Sequence, residues 1–135
     1  LASITFFYQI GFSGLRLSGS SAPNAGRMEI KINGVWGTIG IRRLSGLVRS
    51  FLLTKVLWFT CRQLGYNGGF LGVRWMQIGL RRRLIWLLLN CGEKETNIGD
   101  CIYPPQPHLR LPSYYFAQDL GVICKPNVSQ IKGEI

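Results

Sequence analysis
Apolar and polar residues alternate most cleanly over Arg27-Met28-Glu29-Ile30-Lys31-Ile32, three periods of the two-residue repeat of a half-buried strand. Asn33-Gly34 follows, a turn pair that tolerates positive φ at both positions, and Val35-Trp36-Gly37-Thr38-Ile39 returns. The pattern therefore predicts a β-hairpin over 27–39. Leu15-Arg16-Leu17 alternates in the same way and predicts a further strand, while Ser18 to Gly26 is a Ser, Gly, Pro and Asn loop. Ile4 to Ile10 is β-branched and aromatic, as an edge strand is. Between the tail of a signal peptide and a first strand, the strand is the preferred reading of apolar Leu1 to Phe12.

From about 47 to 64 the apolar positions run nearly all round a helical projection, which predicts a helix buried on most sides. Gly65 stands where such a helix needs a left-handed C-terminal cap. Cys61 then falls in the last turn, placed to tie the helix to another part of the fold. Tyr66 to Gly72 reads as a Gly-rich loop, Leu84 to Leu89 as a short buried strand and Gly121 to Cys124 as a final one. Pro104 to Pro112 is a proline-rich connection. The most apolar windows, Phe51 to Thr60 and Leu84 to Leu89, fall short of the roughly 20 residues of a helical membrane span, so no transmembrane segment is expected.

Charge narrows the partners. Sixteen Lys and Arg stand against six Asp and Glu in 135 residues, a net +10, which favours anionic glycans, lipopolysaccharide, nucleic acid or acidic protein surfaces. Arg81-Arg82-Arg83 is the sharpest candidate, because guanidinium forks bind sulfate, phosphate and carboxylate bidentately. Arg42, Arg43 and Arg49 are candidates to extend that patch. Catalysis has little to stand on: His108 is alone in a proline loop, no nucleophile motif is present, and Glu93, Glu95 and Asp100 read as a solvated acidic loop. No cofactor is implied. Trp36, Trp58 and Trp86 are expected in the core, with Trp75, beside Arg74, the one expected at the surface. Four cysteines, at 61, 91, 101 and 124, predict two disulfides in a secreted chain with three connectivities open; zinc, lacking any C-x-x-C pair, is the weaker alternative. Asn127-Val128-Ser129 is an N-glycosylation sequon.

Taken in order, Leu15-Arg16-Leu17, Gly26-Arg27-Met28-Glu29-Ile30, Asn33-Gly34-Val35-Trp36-Gly37-Thr38-Ile39, Cys61-Arg62-Gln63-Leu64-Gly65-Tyr66, Ile85-Trp86-Leu87 and Asp119-Leu120-Gly121-Val122-Ile123-Cys124 resemble a scavenger receptor cysteine-rich (SRCR) domain. The resemblance covers roughly residues 15–125, leaving 1–14 as an N-terminal strand or extension and 126–135 as a tail or linker. It implies an α+β fold, a small disulfide-linked domain in which a curved antiparallel sheet cradles one helix, in a secreted or cell-surface protein. It also implies the pairs Cys61–Cys124 and Cys91–Cys101. The family's additional bridge is missing at both ends, since Gly40 holds its first position and no Cys lies between Cys101 and Cys124.

The family's calcium site has lost its acids except Asp119. Leu88 and Leu89 replace two of them, and Ile41-Arg42-Arg43-Leu44 replaces the acidic segment after Trp-Gly-Thr, so no metal is expected there. The resemblance and the charge together imply an extracellular scavenger-type module that binds anionic ligands or pathogen surfaces by a basic face. Neither catalysis nor specific nucleic acid binding is expected, the latter because the disulfide pattern argues against its compartment. Gly26 to Trp36 matches the hairpin implicated in bacterial-surface binding, although folding alone explains its alternation. A structural or protein–protein module, contacting other domains or subunits of an extracellular assembly, is the alternative function.

Overall fold
The hairpin lies in the middle of the sheet. A computed structural model describes residues 11–42, 51–76, 84–92, 94, 101–103 and 118–127. The strand expected at 4–10, the first residues of the expected helix, the acids Glu93, Glu95 and Asp100, the proline-rich segment with His108 and the tail past Asn127 lie outside them. Among the described residues the order is β1 (Phe12–Ser18), β2 (Ala25–Ile32), β3 (Val35–Ile41), α1 (Phe51–Gln63), β4 (Gly69–Leu71), a 3-10 turn (Val73–Trp75), β5 (Ile85–Leu89), β6 (Ile102–Tyr103), β7 (Gln118–Asp119) and β8 (Gly121–Cys124). Eight strands make one sheet ordered β4-β8-β2-β3-β5-β6, with β1 beside β2 and β7 beside β3.

Ile32 pairs with Val35 across the turn, where Asn33 (φ 51°) and Gly34 (φ 80°) are both left-handed, as a two-residue type I′ turn requires. The pairing runs back to Glu29 opposite Thr38, and there the two strands part. Leu120 fills the fork. Its carbonyl accepts from the Met28 N–H at 2.8 Å and its own N–H donates to the Ile39 carbonyl at 3.0 Å. Fully buried, Leu120 thus joins β7, which pairs with Gly40 and Ile41, to β8, which pairs with Ala25 to Arg27.

The sheet departs from the sequence reading in two places. Among the described residues its pairings are antiparallel except one: β5 lies parallel to β3, with Ile39 beside Leu87 and Ile41 beside Leu89. The chain crosses over through α1 between these strands, and such a crossover permits parallel alignment. The second departure is β4, inside the stretch expected to be loop. Its backbone pairs with β8, Gly69 opposite Cys124 and Leu71 opposite Val122, and its glycines conceal it from any propensity argument.

The inner face of the sheet carries Met28, Ile30, Ile32, Ile39, Ile41, Leu87, Leu89 and Val122, and α1 packs onto it with Leu52, Leu53, Val56, Leu57, Phe59 and Cys61. Each such side chain contributes about 1.5–3 kcal/mol when buried. Thr60, at the centre of the contact, donates from Oγ1 to the Val56 carbonyl at 2.8 Å, and that oxygen lies 3.2 Å from Met28 Sδ. Burial of α1 on most sides does not hold: Phe51, Thr54, Lys55, Trp58, Arg62 and Gln63 are exposed. A single sheet layer covers one side of a helix, and nothing among the described residues covers the other.

The helix ends in a Schellman arrangement. Tyr66 N–H donates to the Cys61 carbonyl (2.8 Å), Gly65 N–H donates to the Arg62 carbonyl (3.1 Å), and Gly65 takes φ 90°. The cysteines pair as Cys61–Cys124 and Cys91–Cys101. The first pair staples the last turn of α1 to the end of β8, and the second closes the ten-residue separation after β5.

Candidate functional site
The alternation that buries Met28, Ile30 and Ile32 places Arg27, Glu29 and Lys31 on the outer face of β2, away from the helix. Register then brings their partners. β1 sets Arg16 opposite Glu29, and β3 sets Trp36 opposite Lys31. Glu29 is largely buried, at 8% exposure, and holds both arginines: Arg16 Nε donates to Oε1 at 2.7 Å and Arg27 Nε donates to Oε2 at 3.0 Å. Arg27 Nη2 also donates to Ser18 Oγ at 3.3 Å.

Trp36 supports the same group from beside it. The Arg16 guanidinium lies 4.1 Å from the Trp36 ring centroid, and Lys31 Nζ lies 5.8 Å from it. Each contact of this kind is worth about 0.5–1 kcal/mol at an exposed site. Three cations thus surround one carboxylate and one indole. The charge is net positive, and Glu29 engages Arg16 through Nε, and Arg27 through both Nε and Nη2, the latter 3.0 Å from Oε2. The remaining guanidinium N–H donors of half-exposed Arg16 are available to an anion.

The residues singled out by sequence fall differently. Arg42 follows β3, half-buried, and its backbone N–H donates to the Leu89 carbonyl at 2.8 Å. Arg43, Arg49, Arg81, Arg82 and Arg83 lie outside the described residues. Arg16, Arg27 and Lys31 form no basic run in the sequence: the Ser, Gly, Pro and Asn loop lies between the first two, and Met28-Glu29-Ile30 between the last two. The available signal was the hairpin register, which sets Lys31 against Trp36 before any coordinate is known.

The tryptophans correct an expectation. Trp36 is half-buried and Trp58 is exposed, so neither joins the core, whereas Trp86 is half-buried and packs against the core cluster; Trp75 is half-buried as well. A ring this large packs one side and leaves the other in solvent. Trp86 donates from Nε1 to the Val35 carbonyl at 2.9 Å, which anchors it at the end of the hairpin.

Asp119, at the family's calcium position, is buried and its backbone pairs with Gly40. Calcium takes six to eight oxygen ligands, whereas Leu88 and Leu89, which stand on β5 where the family carries acids, are buried apolar side chains. These residues do not fit the ion. Asn127 is half-buried, and its Nδ2 donates to the Gly65 carbonyl at 3.2 Å, beside the helix cap.

The family model described as "Scavenger receptor cysteine-rich domain" matches residues 18–125. The chain belongs to the SRCR family. Among curated proteins it is 29% identical over 116 residues to the egg peptide speract receptor of Strongylocentrotus purpuratus, a match covering 84% of this chain and 20% of that protein. It is 28% identical over 129 residues to lysyl oxidase homolog 4 of Bos taurus, covering 87% of this chain and 14% of that protein. The chain therefore spans a minor part of the relatives it matches. The oxidase named in the second comparison is mostly other sequence. Among solved structures, the third SRCR domain of murine neurotrypsin matches with a TM-score of 0.46 at 25% identity, covering 87% of this chain and 99% of that one.

SRCR domains are extracellular ligand-binding or protein-interaction modules, generally without catalysis, of extracellular or cell-surface proteins. Among the described residues, no helix is long and apolar enough to cross a membrane.

Proposed function
We propose that this SRCR module binds anionic ligands, such as sulfated or uronic-acid glycans, lipopolysaccharide or acidic protein surfaces, through a basic face. The observation that carries the reading is the Arg16–Glu29–Arg27 group with its Trp36 support. Two guanidiniums held on one carboxylate have lost much of their rotamer freedom before a ligand arrives, so less is lost on binding. The net charge of +10 adds long-range attraction. Arg42, Arg43, Arg49, Arg81, Arg82 and Arg83 are proposed as further contacts, and Asn127 as the glycan-bearing residue.

Heparin chromatography of the disulfide-bonded protein tests the reading. The protein is retained at physiological salt and elutes at a higher salt concentration than either an Arg16→Ala variant or an Arg81/Arg82/Arg83→Ser variant. Passage through the column unretained would overturn it. Elution unchanged in both variants would remove these residues from the site.

A further inference from the structure
Helix α1 presents a second surface, on the opposite side of the molecule from the Arg16–Trp36 group. Its buried side packs on Met28 of the inner sheet face, so its exposed side points away from the sheet. Along that side run Phe51, Lys55, Trp58 and Arg62, spaced by four, three and four residues and therefore in one stripe about 16 Å long. Phe51 is 66% and Trp58 44% exposed. Lys55 Nζ lies 5.1 Å from the Phe51 ring centroid, and the Arg62 guanidinium lies 5.6 Å from that of Trp58. From Phe51 to Met76 the sequence contains no Asp or Glu.

We propose that this stripe docks the domain on an anionic phospholipid surface. Aromatic rings and cations, alternating along one straight helix side, meet the two chemistries of a bilayer boundary together. The rings enter the acyl–headgroup boundary while the ammonium and guanidinium remain at the phosphates. The absence of carboxylates removes any repulsion of anionic headgroups. A second copy of the chain is a poor occupant, because Lys55 and Arg62 would face the same charges across the contact. A neutral apolar partner would leave both cations without counter-charge.

The test is co-sedimentation of the oxidised protein at physiological salt with vesicles of phosphatidylcholine alone or with about a third phosphatidylserine, together with the emission maximum of the tryptophans. Association with the mixed vesicles only, with a blue shift, is expected. Phe51→Ser/Trp58→Ser lowers the affinity tenfold or more. Lys55→Gln and Arg62→Gln each lower it about fivefold, given about 1 kcal/mol per basic residue near such a surface. Circular dichroism and intact disulfides establish that each variant is folded.

No association, or association equal in wild type and the Phe51→Ser/Trp58→Ser variant, overturns the proposal; the latter result would mean that net charge alone draws the protein to the vesicles. Self-association abolished by the same variant, without vesicle binding, would assign the stripe to a contact between copies. Retention on polyglutamate abolished by it would assign an acidic protein. Heparin retention measured on the same variant reads the other face, so each proposal fails on its own.

Discussion
Glu29 is the residue on which the outer face depends. It is largely buried with two guanidiniums on it, so its removal strands both. Glu29→Gln should lower stability by about 1–3 kcal/mol in urea denaturation, the lower half of that range applying because Arg16 stays half-exposed and can regain water. The same variant should weaken heparin binding despite raising net charge, because the arginines lose their fixed positions. Gly69 carries a different constraint. A Cβ there would fall 2.5 Å from Cys61 Sγ and 2.5 Å from the Ile123 carbonyl, both fixed parts of the fold. Gly69→Ala is expected to cost about 1–3 kcal/mol, read as a drop in thermal midpoint. Neither role was legible in the sequence. Alternation assigns Glu29 to the outer face but not the two arginines that bury it, and a glycine in a Gly-rich run reads as turn chemistry until the disulfide beside it is placed. The expectation for Trp36 and Trp58 failed for a related reason: an apolar pattern says which way a ring points, not whether anything covers its far side.

At the level of elements, local signals did well where pairing was local. The hairpin was legible because Asn33-Gly34 and the alternation around it specify both turn and register. The helix stop was legible from Gly65, whose φ of 90° disfavours a side chain. Gly65→Ala should cost about 1 kcal/mol in a denaturant titration, and the loss should fall on α1 first, as faster amide exchange at Leu64 and Tyr66. Pairing over distance was not legible. Nothing in Ile85 to Leu89 says that it lies parallel to β3, and nothing in Gly69 to Leu71 says that β8 recruits it. The two disulfides bridge separations of 63 and 10 residues. In the chain-entropy picture they contribute about 4.3 and about 2.7 kcal/mol, so Cys61→Ser/Cys124→Ser should lower stability by about 1.6 kcal/mol more than Cys91→Ser/Cys101→Ser.

For the whole molecule, the sheet separates two cationic surfaces of different composition. The outer one sets guanidiniums around a carboxylate and an indole, and the helical one sets ammonium and guanidinium between exposed rings. Their salt responses should differ. Heparin affinity on the first should fall steeply between low and physiological ionic strength, as screening removes charge attraction. Vesicle affinity on the second should fall less, because ring burial is insensitive to ions; titrations at two salt concentrations compare the slopes. The excess of cations was visible in the composition, but its division between two sides of a sheet was not, since that requires knowing which face α1 covers.

The strand arrangement around β2 also bears on mechanics. Both β1 and β8 run antiparallel to β2 and therefore parallel to each other, β1 entering opposite Ile32 and β8 leaving opposite Ala25. Tension applied to the chain at Phe12 and Cys124 would draw these strands in opposite senses along their own axes, loading the ladder in shear, with its hydrogen bonds resisting together rather than opening one by one. Should that ladder yield, the Cys61–Cys124 bond carries the load past everything between those residues. The domain would then lengthen only by the chain ahead of Cys61, and a tether built from such modules would stretch by short, bounded steps.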